Sequence, residues 1–474
     1  MRNQVQLITY VDRLGGGGLR ELAALLEGPF AGLFGGVHLL PFFHPIDGAD
    51  AGFDPIDHLR VDPRLGDWTD VHVLAERTDV MADLIVNHVS AESPQFRDFV
   101  ARGDTSHWAG LFLTRDSVFP GGAGAEELAR IYRPRPGAPF TDVRLASGET
   151  RAMWTTFTSN QIDIDVHHPA GREYLLSILA RFASAGIRAI RLDAAGYAIK
   201  KRGTSCFMLP ETFAFIRDLG GRARERGIDV LVEIHSHYAT QLAIAAQVDW
   251  IYDFALPPLV LHAFCHGTAE SLKQWIRVRP RNCVTVLDTH DGIGIVDIGA
   301  DGDNPGLVPP AELDRLVEYI HEQSGGQSRR ATGAHASNLD LYQVNCTYFD
   351  ACGRNTEAYL AARALQMFLP GVPQIYYVGL LGGTNDMALL ERTRVGRDIN
   401  RHYYTRDEID NALASPLVRR LCDLIRLRNS HPAFDGEFEL LESPAHTLRV
   451  RWTAGPERVE LAVDFAQPSF AVTT

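Results

Sequence analysis

Short apolar runs rich in Val, Ile and Leu recur along the chain, separated by stretches with helical spacing. The runs are VQLITY (5–10), GVHLLPFF (36–43), VMADLIVNH (80–88), IRAIRLD (187–193), DVLVEIH (229–235), VDWIYDF (248–254), NCVTVLDTHD (282–291) and VPQIYYVG (372–379). Between several of them the apolar positions follow a 3.6-residue period, as in GREYLLSILARFASAG (171–186) and TEAYLAARALQMFL (356–369). Eight buried strands alternating with helices predict an α/β fold, a parallel (β/α)8 barrel of the TIM type. A doubly wound open sheet is the alternative. No G-x-G-x-x-G follows an early strand, which leaves a dinucleotide-binding fold with little support.

Two gaps interrupt the rhythm. Residues 89–167 are rich in Gly, Pro and Arg (FPGGAGAEELARIYRPRPGAPF), and residues 292–353 are likewise irregular. Each follows the C-terminal end of a strand, the face on which barrels build their sites. They read as inserted subdomains that wall a pocket. After about residue 434 the pattern turns to two-residue alternation (TLRVRW, VELAVDF), which predicts a small C-terminal β-domain. The expected organisation is a barrel built from 1–88, 168–291 and 354–434, insertions at 89–167 and 292–353, and the β-domain at 435–474.

Composition narrows the function. With 45% hydrophobic and 22% charged residues, the sequence is that of an ordinary soluble protein. Forty-six Lys and Arg against 59 Asp and Glu give a net charge of −13, which argues against nucleic acid or an anionic membrane as partner. No run approaches the ~18–20 apolar residues of a membrane span, and MRNQVQLITYVDRLGGGG lacks the longer apolar core of a signal peptide. The six cysteines (206, 265, 283, 346, 352, 422) form no C-x-x-C pair and read as buried free thiols. A cytoplasmic protein is expected.

The chemistry collects where strands end. In IRAIRLD, residues two apart share a face, so Arg191 and Asp193 point the same way as Ile187 and Ala189. A charge pair on an enclosed face is costly unless paired or used. Taken alone it could be a structural salt bridge, but DLIVNH ends in Asn87 and His88, LVEIH in Glu233 and His235, and VLDTHD in His290 and Asp291. In a barrel these ends converge on one rim. Such a set suits glycoside chemistry, in which one carboxylate attacks the anomeric carbon and another protonates the leaving oxygen. Arg191 should keep Asp193 ionised, and the charge of Asp193 should raise the proton affinity of Glu233. Asp291 would steady the oxocarbenium-like transition state, and His88 and His290 suit sugar hydroxyls. A zinc site is the competing account of such a cluster; H-E-x-x-H is absent, and His235 with His237 forms only H-x-H. No G-x-S-x-G elbow supports a serine hydrolase.

With these motifs in place, the chain resembles the α-amylase superfamily of retaining enzymes, glycoside hydrolase family 13, at DLIVNH, IRLDAAGY, EIHSHY and DTHD. Longer runs, among them LLPFFHPIDGADAGFDPIDH, IYRPRPGAPF, VTVLDTHDGIGIVDIG, GAHASNLDLYQVN and GRDINRHYY, are similar to its sucrose phosphorylase branch. The resemblance implies that Asp193 is the nucleophile, Glu233 the acid/base and Asp291 the transition-state stabiliser. It assigns Asp50, His88, Arg191, His290 and Arg397 to a glucose subsite, with Asp50 and Arg397 paired on the 4-hydroxyl. Around the acceptor it places Arg135, His235, Asp340, Leu341, Tyr342 and Gln343, with Phe157 and Tyr197 as aromatic walls. The implied substrates are sucrose and inorganic phosphate, the products α-glucose 1-phosphate and fructose, with no metal or organic cofactor. A homodimer is also implied. The β-domain is shorter than in relatives, an expected consequence for stability more than for chemistry. The same chemistry with sucrose 6′-phosphate, glucosylglycerol or glucosylglycerate, a sucrose hydrolase, and a non-catalytic binding relative are the rival readings. Arg329 and Arg330 are the cations near the second insertion that a phosphorylated acceptor would need, whereas D-L-Y-Q favours plain fructose.

Overall fold

The computed structural model describes residues 1–48, 50–134, 137–332 and 343–474. Each of the apolar runs contains a strand: β1 (Gln6–Thr9), β2 (Gly36–Leu39), β3 (Asp79–Ile85), β4 (Ala189–Asp193), β5 (Asp229–Val232), β6 (Trp250–Asp253), β7 (Cys283–Thr285) and β8 (Val372–Tyr376). They pair in parallel and close into a barrel in sequence order, with β8 returning to β1. Alternation sorts the side chains. Met81, Ala189, Leu231, Tyr252 and Val284 pack together, while their neighbours Ile190, Val230, Val232, Ile251 and Cys283 join the larger core shared with the helices.

The strands end earlier than the apolar runs do. β5 stops at Val232, just before Glu233, and β7 at Thr285, well before Asp291. The chemistry-bearing residues therefore sit mostly on loops rising from the strands, where backbone can turn inward.

The helices that alternate with the strands include α1 (Leu19–Glu27), α2 (Trp68–Ala75), α3 (Pro169–Ser184), α4 (Pro210–Arg224), α5 (Tyr238–Ala245), α6 (Leu256–His266) and α7 (Glu270–Val278). α3 and α4 begin with proline, whose fixed φ suits the first helical turn. Asp67 caps α2 by accepting from the backbone of Thr69 and Asp70.

The segment 292–353 departs from the expected irregularity. It contains α8 (Pro310–Gln323), whose buried Leu316 and Ile320 lie four apart, and this short stripe alone was too weak to stand out in the sequence. Segment 89–167 holds a helix at Pro94–Arg102 and a hairpin joining Phe140–Arg144 to Thr150–Trp154, and its Gln161–Asp163 strand pairs with His88–Ser90. The helix α9 (Thr356–Phe368) precedes β8 in sequence and α10 (Pro416–Ser430) follows it. The chain ends in an antiparallel sheet of β9 (Glu437–Leu441), β10 (Thr447–Ala454), β11 (Glu457–Asp464) and β12 (Ser469–Thr473). That sheet is fastened to the barrel by Trp452, whose indole N–H donates to the Phe368 carbonyl at 2.6 Å.

The cysteines are free thiols, buried except for the partly exposed Cys265. Among the described residues, no helix is long and apolar enough to cross a membrane.

Candidate active site

Arg191 and Asp83 are register partners on β4 and β3, so their side chains share the barrel interior. The Arg191 guanidinium reaches Asp83 Oδ1 at 2.5 Å and Asp193 Oδ1 at 3.0 Å through Nη1, and Glu233 Oε1 at 2.7 Å through Nη2. The other Asp83 oxygen lies 3.1 Å from His38 Nε2. Arg191 is only 2% exposed, and burying a guanidinium is tolerable here because carboxylates meet it on several sides. Below this ionic layer lie Met81, Ala189 and Leu231.

Above it opens a cavity of about 180 Å³. Asp50, His88, Phe157, Asp193, Tyr197, Glu233, His235, His290, Asp291, Gln343 and Arg397 line it, and Arg191 lies beneath. Arg135, Asp340, Leu341 and Tyr342 lie outside the described residues. The cavity also gathers Phe53, Tyr132, Pro134, Phe207 and Val296, which the sequence reading had not singled out.

On the side of Asp291, Arg397 Nη1 lies 2.9 Å from Asp291 Oδ1, and Arg397 Nη2 donates to Gln343 Oε1 at 3.4 Å. Asp50 accepts from Gln161 Nε2 at 3.1 Å. The same amide nitrogen is 3.0 Å from His88 Nε2, so Gln161 ties the two together. His290 stacks on Phe53 with centroids 4.9 Å apart. Not every strand-end carboxylate enters the cavity. Asp288 faces α9, where Arg363 binds it at 2.6 Å, and Asp253 binds Arg279 at 2.6 Å.

Burial, opposed by Arg191 and reinforced by Glu233 and Asp83, holds the Asp193 carboxyl well above its usual range. Arg191, shared among Asp83, Asp193 and Glu233, favours the ionised form of Asp193, and burial works against it. Asp291 behaves differently: burial would raise it, but Arg397 and Arg401 hold it ionised, well below the usual range. Burial pushes His290 down to about 3, so its ring is neutral.

Across the cavity, His235 stacks on Phe254 with centroids 3.9 Å apart, and its Nδ1 lies 3.1 Å from Asp297 Oδ2. Asp297 is fully buried and also accepts from the Ser236 amide at 3.1 Å and from Gln241 Nε2 at 2.5 Å. Burial would lower the His235 pKa, but Asp297 outweighs it and raises the ring above its ordinary value. Gly294 makes room for this pair, since a Cβ there would lie 2.6 Å from Asp297 Oδ2. His237 is not a second ligand beside His235. Its Nδ1 caps α5 by accepting from the Ala239 amide, and Nε2 lies 3.0 Å from the Pro305 carbonyl, which removes the H-x-H zinc reading.

An aromatic ladder forms the remaining wall. Phe207 stacks on Tyr132 at 4.4 Å and leans on Tyr197 at 4.7 Å, and Tyr197 meets Phe157 at 5.1 Å. Stacked apolar faces flanked by carboxylates and histidines suit a sugar, which has apolar C–H faces and a hydroxyl rim.

A closed parallel barrel with this cluster of carboxylates on its C-terminal rim defines an α-amylase-type barrel, and the family described as "Alpha amylase, catalytic domain" matches residues 33–227. The chain is 61% identical over 474 residues to a sucrose phosphorylase of Agrobacterium vitis, covering 100% of this chain and 97% of that one. It is 52% identical over 467 residues to a sucrose phosphorylase of Bifidobacterium adolescentis, covering 98% and 92%. The crystal structure of sucrose 6F-phosphate phosphorylase from Thermoanaerobacter thermosaccharolyticum matches the fold with a TM-score of 0.92 at 38% identity, covering 100% and 95%. The chain belongs to the sucrose phosphorylase family of the α-amylase superfamily.

Proposed function

We infer that this chain phosphorolyses sucrose, converting sucrose and inorganic phosphate to α-D-glucose 1-phosphate and D-fructose with retention. The observation that carries this reading is the grip of one guanidinium on both Asp193 and Glu233 at the cavity floor. Such a grip brings two carboxyls to one cation at the cavity floor, and a pair of carboxyls is what retaining glycosyl transfer uses. In this reading Asp193 attacks the anomeric carbon while Glu233, as the acid, gives its proton to the fructosyl oxygen. Arg191 stays behind Asp193 as the charge is consumed. In the second step Glu233 accepts the proton of incoming phosphate, whose oxygen displaces Asp193 from the β-glucosyl intermediate. Asp291, held ionised by Arg397, faces the positive charge that builds on the ring.

The glucose subsite falls to Asp50, His88, Arg191, His290 and Arg397, and the acceptor side to Arg135, His235, Asp340, Leu341, Tyr342 and Gln343, with Phe157 and Tyr197 as walls. His235, whose pKa Asp297 raises, offers phosphate a ring that holds its proton more tightly than a free imidazole. The segments 89–167 and 292–353 act as inserted subdomains: Tyr132, Pro134 and Phe157 reach the cavity from the first, Val296 and Gln343 from the second. With the same reading go a cytoplasmic setting, inferred from the free thiols, and a homodimer, inferred from the family resemblance.

A phosphorylated acceptor is less well served. Arg329 binds Glu318 at 2.5 Å and Arg330 binds Glu391 at 2.6 Å, all on the exposed surface and none among the described cavity residues. Sucrose turnover with and without inorganic phosphate, assaying glucose 1-phosphate and glucose separately, tests the proposal. Phosphate-dependent glucose 1-phosphate is expected. Free glucose at a rate indifferent to phosphate would make the protein a hydrolase, and absence of both products would redirect the search to phosphorylated or glyceryl glucosides.

A further inference from the structure

Away from the cavity, α6 presents two histidines one helical turn apart, His262 and His266, on the face that meets the first turn of α8. Glu312 comes from that turn. Its Oε2 lies 2.8 Å from His262 Nε2, and the two imidazole centroids are 4.5 Å apart. One ligand-type atom from each of the three side chains falls within 4.8 Å of the others. We propose that His262, His266 and Glu312 bind a divalent transition ion of the zinc type, clamping α8 of the second insertion onto α6 of the barrel.

Bonds of ~2.0–2.1 Å to nitrogen and oxygen place ligand atoms roughly 3.3 Å apart around a tetrahedral ion. The trio can close to that spacing by side-chain rotation, because the helices already hold His262 and Glu312 in contact. Two nitrogens and one carboxylate select zinc, cobalt or nickel over calcium and magnesium, which prefer all-oxygen shells. His262 is 2% exposed, so its ring is held in place between the two helices. The Glu312 side chain is 41% exposed, which gives the ion a way in and leaves a fourth position for water. Without an ion, His262 and Glu312 are a helix-to-helix hydrogen bond and His266 has no part in it. The involvement of His266 is what separates the two readings.

The test uses the full-length enzyme stripped with a chelator and titrated with Zn²⁺ by calorimetry and thermal melting, with Co²⁺ as a spectroscopic probe. Expected are one-to-one saturable binding, a melting midpoint raised by about 3 °C at a hundredfold excess over Kd, visible Co²⁺ bands, and no response to Ca²⁺. His266→Gln and Glu312→Gln, both at the open end of the trio, should each weaken Zn²⁺ binding at least tenfold. Cys265→Ser should leave it intact. Failure to saturate, binding that survives both substitutions, or loss with Cys265→Ser alone would each overturn the site.

Discussion

Asp83 and Arg191 face each other across β3 and β4 at 2.5 Å, directly under the floor of the cavity. Asp83 is fully buried and its pKa is down at about 2: burial works against ionisation, but Arg191 and His38 overcome it. One register pairing thus places a permanent negative charge behind the guanidinium that both Asp193 and Glu233 share. The proton inventory of the cavity is set partly from beneath it.

Replacing Asp83 with Asn should therefore do two things. Breaking the buried ion pair should cost about 3 kcal/mol of stability, read by urea denaturation at neutral pH. Because the folded-state pKa lies below the unfolded value of ~3.9, the stabilisation is present above that value and vanishes as pH falls through 2. Wild type and Asp83→Asn should accordingly converge in stability in acid. With one negative charge gone, Arg191 serves Asp193 and Glu233 more fully, and the alkaline limb of kcat/KM should move to lower pH. An unmoved limb would detach Asp83 from the chemistry.

The roles of the two carboxyls separate by leaving group. Glu233→Gln should lower sucrose phosphorolysis about 10³-fold, the usual worth of a general acid. Fluoride departs without a proton, so α-glucosyl fluoride should keep its first-step rate to within about tenfold in that variant. Asp193→Asn should lose both substrates while circular dichroism and melting stay near wild type. Equal losses on both substrates in Glu233→Gln would overturn the acid assignment, and the check is the initial burst of fluoride.

The barrel was legible because its strands are buried on both faces and so read as unbroken apolar runs, each bounded by helical spacing. The rim chemistry was legible for a related reason: a charged residue stands out against Val and Ile, as Asp193 does in IRAIRLD. What the sequence concealed depends on loops. Phe53, Tyr132 and Phe207 lie in irregular stretches where an aromatic residue has no period to break, and only the fold brings them to one cavity. Asp288 and Asp291 stand three apart in VLDTHD, yet one binds Arg363 and the other Arg397. Alternation could not assign them, because β7 ends at Thr285, before either is reached. Asp297 was hidden likewise, its signal being only an acidic residue in an apolar loop, IGIVDIG.

Phe207 offers a measure of the aromatic wall. Its contacts with Tyr132 and Tyr197 are each worth about 1 kcal/mol beyond the area they bury. Phe207→Ala should lower kcat/KM for sucrose about tenfold with kcat less affected, since the wall positions the sugar without touching the reacting bond. In the reverse direction, the KM for fructose should rise more than that for glucose 1-phosphate. A uniform change in both would place Phe207 in general packing rather than at the acceptor.

Asp297 and His235 yield the sharpest pH test. His235 carries its charge below its folded-state pKa and loses it as pH rises through that value, which Asp297 has raised. Phosphate delivered against a cationic ring should therefore react progressively less well as pH rises through that value. Water, as the competing acceptor, needs no such charge. Asp297→Asn keeps an acceptor for the Ser236 amide but removes the negative charge that holds the proton on His235. The phosphorolysis-to-hydrolysis ratio should fall at neutral pH, and its alkaline decline should move to lower pH. The KM for phosphate should rise, while the rate of glucosylation by sucrose stays within about threefold, because His235 takes no part in breaking the glucosyl–fructosyl bond. The measurement is that ratio across pH 5.5–9 in both proteins. A profile in Asp297→Asn that overlays wild type would mean that the imidazole acts as a neutral hydrogen-bond donor and that the charge for phosphate comes from elsewhere on the rim.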